Sequence, residues 1–153
     1  MKAGARLAMA ALAAGLAAPA ALVAQDGPKA SPSLRIAADE MSWRQQTPEL
    51  ATMISELWGD RQVDGGAGAM LRLPPGFDSG LHAHSGEFHG IVIRGAMIHE
   101  GPNGEGRDKR LPAGSYVRQA GGEMHIDKCV SEEPCEFFVF QDRRADIIWP
   151  DRR

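Results

Sequence analysis

From about Glu49 to Trp149 the chain breaks into short apolar or alternating runs, separated by clusters of Gly, Pro, Asn and Asp. The runs are Leu50 to Trp58, Ala67 to Leu73, Leu81 to His84, Phe88 to Arg94, Met97 to Glu100, Ser115 to Arg118, Met124 to Cys129, Glu136 to Gln141 and Ala145 to Trp149. Each has the length of a strand, and spacing this short and regular predicts an all-β sandwich or barrel. Asp60 to Gly66, Pro74-Pro75-Gly76 and the polar stretch from Gly101 to Arg110 supply the turns. Upstream, Ala37 to Gln46 reads as a short helix or an edge strand, with Met41 and Trp43 covering one end of the barrel.

The N-terminus has a different character. Lys2 and Arg6 precede an apolar run, Leu7 to Ala18, built from Ala, Leu, Met and Gly. That run is too short and too lightly flanked for a spanning helix and reads as a secretory signal peptide within residues 1–24, cut after Ala20 or Ala24. Residues 25–48, rich in Pro, Gly and Ser at their start, form a leader and N-terminal extension, and residues 49–150 form one domain. The expected location is therefore periplasmic or extracellular. Of 17 basic and 20 acidic residues, cleavage removes two basic ones and leaves a charge of −5. That balance argues against nucleic acid or an anionic membrane as partner.

Four of the five histidines fall in two short segments, His82-Ala-His84 with His89, and His125. Imidazole is the commonest protein metal ligand, and histidines two apart on a strand face the same way. His82 and His84 can thus reach one ion, with His125 closing a third vertex from a neighbouring strand. Three such ligands leave positions open for substrate or water. His99, ahead of a polar loop, reads as a solvated strand end.

Gly76, His82-x-His84 and a strand closing at Gly95 resemble the first motif of the cupin superfamily. Pro112-x-Gly114, followed ten residues later by Gly122-Glu123-Met124-His125, is similar to the second. The resemblance spans about Leu50 to Trp149 and implies a double-stranded β-helix, or jelly roll, with a metal between its sheets. It also implies a small-molecule ligand or substrate and pairing into a homodimer. The fourth cupin ligand is commonly a glutamate, and here the register disagrees: counting from His84 points to His89, counting from Gly95 points to Phe88, and Glu87 lies one residue earlier. His89 is favoured over Glu87 as the fourth ligand, the other possibility being a three-ligand site. Glu87 is then free as a catalytic proton acceptor. An uncharged histidine set suits one divalent transition metal, Fe, Zn, Ni, Cu, Co or Mn, rather than Mg or Ca.

Cys129 and Cys135 bracket a polar turn, and export favours a disulfide between them; a thiolate zinc site with His125 is the rival reading. Trp43, Trp58 and Trp149 with Phe137, Phe138 and Phe140 read as barrel filling. Met70, Ile91, Val92 and Phe140 are expected to wall a pocket around the ion. No Ser-His-Asp arrangement, phosphate-cradling loop or dinucleotide fingerprint can be assembled from the chain. Two functions fit: a metal-dependent oxygenase or isomerase acting on a small organic molecule, or a non-catalytic barrel that binds or senses a ligand.

Overall fold

The structure is a computed structural model that describes residues 32–150. The signal segment and its cleavage sites lie outside these residues. The compact unit begins at Ile36. Its strands are β1 (Arg44–Gln45), β2 (Met53–Trp58), β3 (Ala67–Leu73), β4 (Phe88–Arg94), β5 (Ala96–Glu100), β6 (Leu111–Pro112), β7 (Tyr116–Gln119), β8 (Ile126–Cys129) and β9 (Cys135–Gln141). No helix occurs among the described residues, and none there is long and apolar enough to cross a membrane.

The strands form a six-stranded sheet, β1-β2-β3-β9-β4-β7, and a three-stranded sheet, β6-β5-β8. Their pairings are antiparallel. Alternation decides what enters the space between the sheets. Ala69 and Leu73 of β3, Phe88 and Val92 of β4, Met97 of β5, Val117 of β7 and Phe137 and Val139 of β9 form the buried core. Burying such side chains contributes roughly 1.5–3 kcal/mol each, before the entropy of ordering them is subtracted. At Gly90 the packing needs a missing side chain, since a Cβ there would lie 1.9 Å from the Phe137 ring. Gly76 turns the chain after Pro74-Pro75 with φ of +73°, a conformation that favours glycine.

Cys129 and Cys135 form a disulfide, and no free cysteine is left for a thiolate zinc site. Cys129 ends β8 in the small sheet and Cys135 begins β9 in the large one, so the bond ties the two sheets at a corner. Closing so short a loop contributes about 2 kcal/mol through the unfolded state.

Several expectations need correction. Leu81 to His84 and Ala145 to Trp149 form isolated bridges, His82 to His125 and Ala83 to Ile148, instead of full strands. Trp58 and Trp149 are exposed, and Trp43 carries the Arg72 guanidinium 4.0 Å above its ring. Met70, Phe138 and Phe140 lie on the face opposite Leu71, Phe137 and Val139, with Trp58 stacked 5.7 Å from Phe138. Ile91 points outward and is exposed, because Phe88 and Val92 take the inward positions of β4.

Candidate metal centre

The pairing of two chain segments brings the histidines together. His82 and His125 are direct cross-strand partners: His82 N–H donates to His125 O at 3.0 Å, and His125 N–H donates to His82 O at 2.7 Å. Directly opposed residues project to the same face, and here the rings lie 4.3 Å apart. His84, two residues along, shares that face, and its ring lies 5.0 Å from His82 and 5.3 Å from His125. The segment is held from its other side by the reciprocal backbone bonds between Ala83 and Ile148.

All three imidazoles are oriented through Nδ1. His82 Nδ1 donates to Gly80 O at 3.0 Å, His125 Nδ1 to Glu123 O at 3.3 Å, and His84 Nδ1 to Asp146 O. A carbonyl only accepts, so each ring carries its proton on Nδ1 and presents the Nε2 lone pair. That is the arrangement that orients metal-bound histidines. Their ligand atoms all lie within 4.8 Å of one another. His125 is 0% exposed, and its Nε2 is one of three buried side-chain atoms without a hydrogen-bond partner among the described residues. A buried polar atom left unpaired is costly, and a metal ion bonded to Nε2 would remove the penalty. The donor set therefore fits a divalent transition ion.

Burial lowers the pKa of His82, and it drives His84 down to about 4. Both rings are neutral at neutral pH, the state that binds metal. Between about 4 and the unfolded value of 6.5 the unfolded chain holds the proton that folded His84 refuses. Stability of the metal-free protein should accordingly fall as pH drops through 6.5 and level off below about 4, by less than about 3 kcal/mol from this residue. Urea melts between pH 7 and 4 check this, and His84→Gln should flatten the decline.

The structure does not bring His89 to the other three. His89 shares the outward face of β4 with Ile91; its Nδ1 lies 2.7 Å from the Tyr116 hydroxyl and its Nε2 2.9 Å from Glu87. Glu87 is held on the same surface by Arg118. Neither lines the cavity beside the histidines. The inward position belongs to Phe88, whose ring lies 5.6 Å from His84 and 5.7 Å from His125.

Asp127 and His99 stand beside the three histidines. Asp127 follows His125 by two on one strand face, and its Oδ2 lies 3.5 Å from His125 Nε2. Its Oδ1 is 2.8 Å from Nδ1 of His99, which is largely buried rather than a solvated strand end. His99 Nε2 lies 2.7 Å from Gln119 Oε1. That amide is oriented by Nε2 donating to Ala120 O and Glu123 O, so both His99 nitrogens face acceptors and both must donate. Burial acts to lower the His99 pKa, but the bonds to Asp127 and Gln119 outweigh it and raise it. Burial likewise acts to raise Asp127, and the doubly protonated His99 bonded to its Oδ1 outweighs that, holding the carboxyl well below the usual carboxylate range. His99, His125 and Asp127 form a second cluster with metal-ligating atoms in reach of one another, sharing His125 with the first.

Two antiparallel sheets with histidines converging between them define a cupin-fold protein. The chain belongs to the family described as a domain of unknown function, DUF4437, whose model matches residues 36–142. Its structure is similar to the polyketide cyclase RemF from Streptomyces resistomycificus, with a TM-score of 0.65 and 18% identity, covering 79% of this chain and 89% of that one. KdgF from a Halomonas species aligns with a TM-score of 0.57 and 18% identity, over 71% of this chain and 94% of that one. A sugar phosphate isomerase of the cupin superfamily from Silicibacter pomeroyi gives 0.57 and 20% identity, over 72% and 76%. Likeness at such identity shows the fold alone. No curated protein matches the chain.

Proposed function

We propose that this chain is an exported, metal-dependent cupin that works on a small organic molecule as an oxygenase or isomerase. The observation that carries this reading is the convergence of three Nδ1-anchored imidazoles whose ligand atoms lie within 4.8 Å of one another, His125 Nε2 being otherwise unpaired. His82, His84 and His125 would hold the ion, which would supply a Lewis acid or redox centre.

The chain's own residues do the rest. Leu71, Phe77, Phe88, Met97 and Phe137 give the adjoining cavity apolar walls. Asp127, whose Oδ1 is taken by His99, places its ionised Oδ2 beside the centre as a fixed negative charge and hydrogen-bond acceptor. The disulfide suits the oxidising compartment to which an N-terminal signal would deliver the chain.

An open coordination position separates a working site from one that only holds the fold together. Azide added to the Co(II)-loaded protein should shift its visible absorption, with the Co(II) content unchanged. An unaltered spectrum at saturating azide would mean that coordination is filled by the protein, and would overturn the enzymatic reading in favour of a structural or sensing barrel.

A further inference from the structure

Three buried side-chain atoms lack a hydrogen-bond partner among the described residues, and only one of them, His125 Nε2, belongs to the histidine set. The other two are Arg61 Nη1 and Gln141 Oε1, and both residues line the cavity that His82 and His84 also line. A donor and an acceptor, both orphaned and both on residues that line one cavity, are the complement of something that enters it.

Arg61 lies in the turn between β2 and β3, where every neighbour from Gly59 to Gly66 is exposed and it alone is buried. It is 7% exposed, whereas Val63 in the same turn is 53% exposed. Hydrophobic burial by itself would place these two side chains the other way round. No ion pair to Arg61 forms among the described residues. Glu56, the carboxylate that acts on it, is bridged to Arg44 at 2.7 Å, and burial lowers the Arg61 pKa. A buried guanidinium nitrogen without a partner among the described residues is a standing cost to the fold, and a planar fork of donors matches a carboxylate. The turn is held in place beforehand: Arg61 O accepts from Ala145 N–H at 2.8 Å, and Gly65 N–H donates to Asp142 O at 3.0 Å. A pre-ordered donor loses less entropy on binding.

We propose that Arg61 anchors the carboxylate of a small organic acid in this cavity, with Gln141 Oε1 accepting a hydrogen from a hydroxyl or amide of the same molecule. The inference rests on the reading of the cavity as a ligand site and names the class of molecule it takes. Leu71, Leu73 and Val139 provide apolar walls for the remainder of that molecule.

The test is calorimetric titration of the disulfide-intact protein, metal-free and Zn(II)-loaded, with lactate and benzoate and with their neutral amides, lactamide and benzamide. At least one carboxylate should bind, and more tightly than its amide. Arg61→Met should weaken that carboxylate by about tenfold or more while leaving the amide and the Zn(II) content unchanged. Arg61→Lys, which keeps charge but loses the fork, should fall between, and serves if Arg61→Met does not fold. Arg61→Met without ligand should melt no lower than the parent, because it removes an unpaired buried charge. Equal binding of acids and amides, no binding of either acid, or carboxylate affinity indifferent to both variants would overturn the proposal. Loss of Zn(II) binding with Arg61-dependent carboxylate binding intact would sink the metal reading and leave this one standing.

Discussion

Asp127→Asn is expected to destabilise the metal-free protein by up to about 3 kcal/mol, the low end for breaking a buried ion pair, since this pair is largely rather than fully buried. The substitution keeps the shape of the side chain and deletes its charge, so the loss reports the pairing rather than a cavity. His99 lies between Asp127 Oδ1 at 2.8 Å and Gln119 Oε1 at 2.7 Å, and both acceptors require a proton on the imidazole. Without the carboxylate the imidazolium keeps a buried charge with no counter-ion, or sheds its proton and turns a lone pair toward an acceptor.

The pH dependence gives the same residue a second readout. The folded pKa of His99 is raised, so its contribution is fully present below the unfolded value of 6.5 and is lost as pH rises through the folded value. In Asp127→Asn that alkaline loss should shrink toward zero. Chemical denaturation at several pH values measures both effects. A variant as stable as the parent, with an unchanged alkaline limb, would show that the pair does not form.

Much of the fold was legible because alternation is a local property. β3 and β4 have the bounds that their residue patterns predict, and the Pro74-Pro75-Gly76 turn falls where the chain needs positive φ. Period two also separates Phe88 and Val92 from His89 and Ile91, but it does not say which set faces inward; packing against Phe137 and Val139 decides that. Aromatics on both faces of β9 hid the same choice, which is why Phe140 was expected inside. Trp58 is exposed because it lies over Gly68 on the outer face, where the sequence shows only an aromatic at a strand end.

The centre was legible in part. His82, His84 and His125 were identified by spacing, and the signal that found them would also have found Asp127, since His125-Ile126-Asp127 repeats the same alternation. His99 could have been read from Met97, a core residue two positions earlier on β5. Arg61 was not legible. It sits in a cluster of Asp and Gly that composition assigns to solvent, and only the folding of that turn against residues 142–145 buries it.

The most direct test of the three-histidine centre is the metal content of the protein purified without chelator, compared with a His82→Ala/His84→Ala double variant shown to be folded by far-ultraviolet circular dichroism and an intact disulfide. About one equivalent of a divalent transition metal is expected in the parent and almost none in the variant, because a single imidazole, His125, cannot hold the ion alone. Metal absent from both after reconstitution with Fe(II), Zn(II), Ni(II) and Cu(II), or equal in both, would contradict it.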